Sequence, residues 1–424
     1  MPQNWKTYKL SEIVDSERGI SYGIVQPGKN AEDGVPILKV NNLTDKNFNK
    51  KNLYRVSQKV EEKYLRTRLR GGELLVSLVG TLGEVYCVSD ELIGCNVVRA
   101  LAVLPVLEEY DPVFVEYCLK SPYIQNQLNQ IATTSVQATI NLKELREVEI
   151  KLPEEKERKA IAAILSALDD KIELNLQMNK TLEEMAMTLY KHWFVDFGPF
   201  QNGKFVESEL GMIPEGWEVK TIGDTVNIPG GYAFKSKAFT DFGDYVIKIK
   251  NINNKVVTAQ GSVCIPEEVT ESTNEKFIIP VGAYLVAMTG AEVGKTGVVP
   301  DYGKRLWLNQ RVGMISNPKF ENAEVLIGNY LQSDECYQII QNLAYGSAQP
   351  NISSKGLEGI EIILPNDLSI IQEPLSLMKS FDDQKLSNYN ENITLTKTRD
   401  TLLPKLISGE VRVKQVEQEL KNVL

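Results

Sequence analysis

The chain carries one long pattern twice. Residues 135–153 and 347–365 share, without a gap, the pattern S-x-Q-x-x-I-x-x-x-x-L-x-x-[VI]-x-I-x-L-P, and each matched position is displaced by the same 212 residues (347 − 135 = 212). A match of this length indicates a tandem duplication. Each half must then fold into the same kind of unit, and a duplicated chain is suited to a duplicated or two-part target.

The duplication extends well beyond this pattern. The strand-like run 37–42 matches 246–251, and offsets between the copies lie between 209 and 213, so insertions fall in loops, where they are tolerated. Each copy consists of short β-rich runs punctuated by Gly, Asn and Pro, with one helix predicted near its end, over 112–131 and 324–343. The pattern predicts two tandem-repeated globular domains of the α+β class.

Each copy is followed by a predicted long helix. Over 161–193 the seam positions recur in alternating steps of four and three, a heptad pattern interrupted by Asn175 and Asn179, and adding 213 gives Asn388 and Asn392 in the second helix. A buried polar seam residue lowers stability but fixes register and partner. The four asparagines therefore predict two helices that pack on each other in a defined register. The alternative is two amphipathic helices that lie on nearby cores.

The helix limits define the predicted organisation. The first helix is expected over 154–194, about 60 Å at ~1.5 Å per residue. The second is expected from near Pro374 to Gly409, with Pro404 ending or kinking its last turns. The predicted globular domains are 1–152 and 198–365, and the second begins with a linker that reaches Trp217. The predicted helical segments are 153–197 and 366–424.

Composition narrows the class of protein. The 424-residue chain has a net charge of −9, contains no run near the ~18 apolar residues that span a bilayer, and begins without a signal-peptide core, so we expect a cytoplasmic protein that does not contact membrane. Its five cysteines include no C-x-x-C pair, and its single histidine excludes a histidine-rich metal site. No metal is predicted.

The motifs of several catalytic classes are incomplete. Residues 290–296 approach a phosphate-binding loop, but Thr289 stands where its first glycine is required. The runs 111–114 and 317–320 lack the second proline of a nucleic-acid amino-methyltransferase loop, and we find no nuclease carboxylate–lysine cluster. The sequence predicts a chain without a catalytic site or a cofactor of its own.

Three further segments stand out: residues 168–175 (LDDKIELN), 210–217 (LGMIPEGW) and 402–410 (LLPKLISGE). In this order they resemble the central spacer, the entry to the second recognition domain and the C-terminal ending of a known family, the specificity subunit of type I restriction-modification systems. The resemblance covers essentially the whole chain.

The resemblance implies a specific architecture and assembly. Each globular block would be a target recognition domain for one half of a bipartite, asymmetric site in double-stranded DNA. The two helices would pair antiparallel with pseudo-twofold symmetry and set the distance between half-sites. Two methyltransferase subunits would bind the helices and carry S-adenosylmethionine, motor-nuclease subunits would carry ATP, and the isolated subunit could self-associate. The alternative is a duplicated coiled-coil scaffold that does not read DNA sequence.

DNA-contacting residues are predicted from charge. Residues 46–70 contain nine Lys/Arg, and their only acidic residues are Glu61 and Glu62. The net charge of this segment, +7 (9 − 2), suits a surface that binds phosphates. Phosphates are bound by Lys and Arg, and base edges are read by Arg, Lys, Asn and Gln. The candidates in the two copies are Lys46, Lys50, Lys51, Arg55, Lys59, Lys63, Lys235, Lys237, Lys248, Lys250 and Lys255. The alternative for each is a solvated surface side chain.

Overall fold

The computed structural model describes residues 5–44, 48–132, 138–344 and 350–413, and these form two compact units. Unit 1 holds the described residues up to 170 and from 395 onward, and unit 2 holds 171–394. Both boundaries fall within the predicted long helices, so each helix contributes to both units.

Unit 1 is built of short strands and helices that precede the first long helix. Its strands are β1 (Lys6–Lys9), β2 (Ser21–Tyr22), β3 (Val35–Leu38), β4 (Tyr54–Val56), β5 (Leu74–Ser77), β6 (Val85–Cys87), β7 (Asn96–Val97), β8 (Leu101–Leu104) and β9 (Glu149–Leu152). Its helices are α1 (Val40–Thr44), α2 (Gln58–Glu61), α3 (Pro112–Lys120), α4 (Pro122–Ile131) and α5 (Leu142–Glu147), followed by the long α6 (Glu155–Tyr190).

Unit 2 is likewise built of short strands and short helices that precede a long helix. Its strands are β10 (Phe205–Ser208), β11 (Gly211–Pro214), β12 (Trp217–Thr221), β13 (Asp244–Ile247), β14 (Ile252–Asn253), β15 (Lys255–Val257), β16 (Val263–Ile265), β17 (Tyr284–Ala287), β18 (Thr296–Val298), β19 (Leu306–Leu308), β20 (Val312–Met314) and β21 (Glu361–Pro365). Its helices are α7 (Glu267–Thr270), α8 (Ala323–Leu331), α9 (Asp334–Ala344) and α10 (Ser354–Glu358), followed by the long α11 (Gln372–Ser408). The hairpin β10–β11 lies in the segment predicted as a linker.

The two units repeat one strand arrangement. In unit 1, β3 pairs antiparallel with β4 and parallel with β7, and β5 lies between antiparallel β6 and β8. In unit 2, β13 pairs in the same way with β16 and β19, and β17 lies between β18 and β20. The first and last strands of each globular part also pair, with Lys6 opposite Leu152 and Trp217 opposite Pro365. The duplicated sequence thus folds into a duplicated α+β topology.

Fully buried, mostly apolar strands form the centre of each globular part. All four residues of β5 and all four of β17 are buried, as expected for strands covered on both faces. In unit 2 the core continues onto the end of the first long helix, where Tyr190, Phe194 and Phe197 pack with Trp217. The edge-to-face ring contacts fix the helix end against the first strand of the globular part.

The single helices predicted over 112–131 and 324–343 are each two helices. Ser121 separates α3 from α4, and Ser333 separates α8 from α9. Both hydroxyls accept a hydrogen bond from the backbone N–H three residues on, at 3.5 and 3.1 Å. In unit 1 the next residue is Pro122, which disfavours helical geometry at the residue before it. The predictions were wrong here because the capping serines each begin a new helix.

The first long helix agrees closely with its prediction. The α-helical part ends at Tyr190, and one π-helical turn, Lys191–Val195, continues it to the end predicted at 194. At ~1.5 Å per residue, the 36 residues of α6 span about 54 Å.

The second long helix departs from its prediction near its end. It begins at Gln372, two residues before Pro374, and runs through Pro404 to Ser408, where Gly409 adopts a φ of +70°. Pro404 does not end the helix, and the left-handed glycine terminates it instead. Among the described residues, none of the helices combines the length and the hydropathy that a membrane span requires.

Candidate nucleic-acid interface

In each unit a lysine directly follows an equivalent strand, β3 in unit 1 and β13 in unit 2. β3 and β7 run parallel, as do β13 and β19, so their carboxyl ends lie at one edge, a common location for ligand sites. Lys39 follows β3 and Lys248 follows β13. The backbone N–H of each lysine donates to an asparagine side chain three residues on, Asn42 at 2.8 Å and Asn251 at 3.0 Å. These bonds hold the turn that directs each lysine.

Both lysines lie over an aromatic ring. The Lys39 ammonium is 4.1 Å from the ring centroid of Tyr54, and that of Lys248 is 3.7 Å from that of Phe239. The rings come from different elements, since Tyr54 belongs to β4 and Phe239 to the loop before β13. Burial and the neighbouring Lys250 lower the pKa of Lys248. A cation–π contact restricts each lysine at a fixed position at the strand end.

Lys39 is not among the DNA-contacting residues predicted from the sequence, although the sequence contains a signal for it. The repeat aligns residues 37–42 with 246–251, so it places Lys39 at the position of Lys248, which was predicted. The match by itself predicts only a strand at both places. The periodicity that identifies a strand does not show which residue at its end is held in a fixed position by other elements.

The candidates predicted in unit 1 fall into two groups. Lys51, Lys59 and Lys63 are exposed. Lys50 donates to the carbonyl of Ile93 at 3.0 Å, and the Arg55 guanidinium donates to Gly34 at 2.9 Å and to the Lys50 carbonyl at 3.4 Å, which brings these two residues together. Lys46 lies outside the described residues.

The candidates in unit 2 are also divided. Lys235 and Lys237 are exposed, and the Lys250 ammonium donates to the carbonyl of Gly261 at 2.9 Å. Lys255 instead pairs with Glu183 of the first long helix. The structure therefore brings Lys248 and Lys250 together at the strand ends and directs Lys255 towards the helix.

The two long helices pack on each other antiparallel, through the predicted asparagines. In unit 2 the Asn175 amide donates to Asn392 at 2.9 Å, and the Asn388 amide donates to Asn179 at 2.8 Å. All four side chains are buried. In the repeat Asn388 corresponds to Asn175, and Asn392 corresponds to Asn179 (388 − 175 = 392 − 179 = 213). Asn175 therefore bonds to the residue that corresponds to Asn179, and Asn179 bonds to the residue that corresponds to Asn175. This reciprocity is the local signature of pseudo-twofold symmetry, and a register-setting role stays a prediction.

An aspartate at an equivalent position of each long helix holds the globular part of its own unit. In unit 1 Asp169 accepts a hydrogen bond from the Tyr117 hydroxyl at 2.6 Å and pairs with Arg399 of the second helix at 2.6 Å. Burial and the bond to Asp169 raise the pKa of Tyr117, which keeps its hydroxyl protonated as a donor.

In unit 2 the equivalent residue is Asp382 (382 − 169 = 213). It accepts hydrogen bonds from the Tyr284 hydroxyl and from the Asn329 amide at 3.1 Å, and its other oxygen lies 2.7 Å from the Lys385 ammonium. Asn329 occupies the position of Tyr117 (329 − 117 = 212). Burial and the charge of Asp382 raise the pKa of Tyr284 well above its ordinary value.

Comparison with known proteins identifies the family. The model of the type I restriction modification DNA specificity domain matches twice, over residues 2–184 and 214–397, so the chain belongs to this family of DNA specificity proteins.

Individual relatives agree with that assignment. The chain is similar to the MjaIX type I restriction enzyme specificity subunit of Methanocaldococcus jannaschii, with 27% identity over 314 residues, 72% of this chain and 70% of the relative. The MjaVIII specificity subunit of the same organism is 23% identical over 420 residues, 98% of this chain and 95% of the relative. The crystal structure of the type I restriction-modification S subunit from M. genitalium has a similar fold, with a TM-score of 0.58, 16% identity, and coverage of 95% of this chain and 96% of that one.

Proposed function

We propose that this chain is the DNA sequence-specificity subunit of a type I restriction-modification complex. The observation that carries the proposal is the double match to a DNA specificity domain, one match over each globular part and the start of a long helix. Each unit in addition presents a restrained lysine at the same strand edge, Lys39 or Lys248, within different surroundings. Two unlike surfaces on one framework suit a bipartite, asymmetric DNA site, and the exposed candidates Lys51, Lys59, Lys63, Lys235 and Lys237 would bind its phosphates.

The long helices suit the remaining tasks. A paired helix in a fixed register can set the number of unread base pairs between half-sites, which lie about one DNA turn, ~34–36 Å, apart when read from one face. On α6, Leu174, Met178 and Met185 lie on one face and are 51%, 37% and 46% exposed. An exposed apolar stripe of this kind is typical of a protein-binding surface. In the proposal it binds a methyltransferase subunit.

The chemistry belongs to the partners in this proposal. Two methyltransferase subunits would carry S-adenosylmethionine and motor-nuclease subunits would carry ATP, while this chain, acting on DNA in the cytoplasm, positions them. The isolated subunit could self-associate through the surfaces that these partners cover.

The test is expression of the chain with its methyltransferase partner in a host without adenine methylation, followed by single-molecule sequencing. We expect N6-methyladenine confined to one bipartite motif, and gel-shift binding of the complex to that motif over random duplex. Methylation without sequence preference would contradict the proposal and favour a scaffold.

The spacing role has its own test. Removing one heptad from each long helix at facing positions should shorten the unread spacer without changing either half-site. An unchanged spacer in a correctly assembled complex would rule out the helices as the ruler.

A further inference from the structure

A concave cleft opens at the carboxyl ends of β13 and β19 in unit 2. Its volume is about 390 Å³, and its walls include the ring of Phe239, the amide of Gln310 and the cations of Lys248, Lys250 and Arg311. The lining contains three cations and no carboxylate. The cleft is therefore an electropositive recess whose lining includes hydrogen-bonding side chains.

The cations of this recess form no ion pair within the described part of the chain. Among the described residues, no carboxylate pairs with Lys248, Lys250 or Arg311, although Lys255 and Lys295 of the same unit do form ion pairs. Gln310 and Arg311 are exposed, and their side chains are free to contact a ligand. Unpaired cations gathered in one recess favour an anionic ligand.

The backbone identifies the corresponding residues of unit 1. The Asn309 N–H donates to the Ile247 carbonyl at 3.2 Å, as the Val98 N–H donates to the Leu38 carbonyl at 3.0 Å. Positions 309, 310 and 311 therefore correspond to 98, 99 and 100. Gln310 takes the place of an arginine, and Arg311 that of an alanine. The lysine is retained in both units, while the residues beside it differ.

We propose that this cleft reads bases of one half-site, with Gln310 and Arg311 at base edges in the major groove and Lys248 on an adjacent phosphate. The inference rests on the proposed function and deepens it. Arginine pairs with the O6 and N7 atoms of guanine, and glutamine with the N6 and N7 atoms of adenine. The lysine, restrained by Phe239, supplies a contact common to both units, and the two variable residues supply the discrimination.

The experiment compares variants of the full chain, each co-expressed with the methyltransferase partner, by genome-wide mapping of N6-methyladenine. Gln310→Ala and Arg311→Ala should each lower discrimination by about tenfold or more at one base pair of one half-site, and leave the other half-site unchanged. Arg311→Lys, which keeps the charge but loses the bidentate fork, should lower it in the same direction. This last variant still tests the inference if Arg311→Ala does not assemble.

Lys248→Ala should have a different signature. We expect weaker binding to all sequences, and a slope of log affinity against log salt that is smaller by about one in fluorescence anisotropy of the assembled complex. The matched control is Lys304→Ala. Lys304 is exposed and lies 5.0 Å from the Tyr245 ring centroid at the amino ends of the same strands, and its removal should change neither measurement.

Two failures can be told apart. If the wild-type complex methylates without sequence preference, the proposed function is wrong. If the wild-type complex is specific but the Gln310 and Arg311 variants keep the same preference at every position of both half-sites, the cleft does not read bases and the inference alone is overturned.

Discussion

The same aspartate joins helix to globular part in both units, but its surroundings differ. Asp169 of unit 1 is 32% exposed, and its cation, Arg399, comes from the other long helix and also pairs with Asp400. Asp382 of unit 2 is 8% exposed, and its cation, the 6% exposed Lys385, lies one turn along the same helix.

The difference has a local origin in the seam. The unit 2 position that corresponds to Arg399 is Ala186 (399 − 213 = 186), which is fully buried and offers no charge. Asp382 therefore requires a cation from its own helix, within the core. Both units thus keep the aspartate, but the cation that pairs with it differs, and the more buried aspartate is paired within its own helix.

The largest effect is expected at Asp382. Asp382→Ala leaves the buried Lys385 ammonium without its counter-charge, and two donors without their acceptor, which should cost about 3–5 kcal/mol in the free energy of unfolding. Urea denaturation followed by circular dichroism measures it. The control Asp382→Ala/Lys385→Met removes both charges and should recover part of the loss. A single variant as stable as wild type would mean that the buried pair contributes nothing to holding unit 2 together.

A smaller effect is expected at Asp169. Asp169→Ala removes the acceptor of the buried Tyr117 hydroxyl, but Arg399 keeps Asp400 and water, so we expect a loss of about 1–2 kcal/mol in the same experiment. Tyr117→Phe, which removes the other partner of that bond, is the matched control and should cost no more. If Asp169→Ala cost more than Asp382→Ala, the contrast between the two units would be reversed.

The smallest effect concerns a buried acid elsewhere in unit 1. Glu61 is 1% exposed, and the hydrogen bond from Arg68, opposed by burial and aided by Asn96, lowers its pKa. A carboxylate with a lowered folded-state pKa contributes stability above its unfolded pKa of about 4.3, and this is lost as the pH falls through the folded value. Glu61→Gln should therefore cost about 1 kcal/mol at pH 7 and progressively less below about pH 4.

Urea titrations of wild type and Glu61→Gln at several pH values check this prediction. A stability difference that stayed constant down to pH 2 would show that ionisation of Glu61 is not its source.

The sequence predicted the frame better than the site. The long helices and their asparagines could be predicted because a heptad spacing and a constant offset between copies are visible in the sequence alone. The helix break at Ser121 could have been predicted from Pro122, which follows it. The repeat, which places Ser333 at the position of Ser121 (333 − 121 = 212), would then have predicted the second break. The cleft could not be predicted, because Phe239 contacts Lys248 from a loop whose path depends on tertiary packing. In unit 1 the equivalent contact to Lys39 is made by Tyr54, which belongs to a strand.

The pairing of the first and last strands of each globular part has an evolutionary consequence. The chain enters and leaves unit 2's recognition part at neighbouring points, with Trp217 opposite Pro365, and unit 1's with Lys6 opposite Leu152. The segment between those points can be replaced without moving the two ends that join it to the rest of the chain, if the new segment keeps the hydrogen bonds made by Tyr117 to Asp169 and by Tyr284 and Asn329 to Asp382. One genetic exchange of such a segment would change the surface of a DNA specificity domain in a single step and keep the paired long helices.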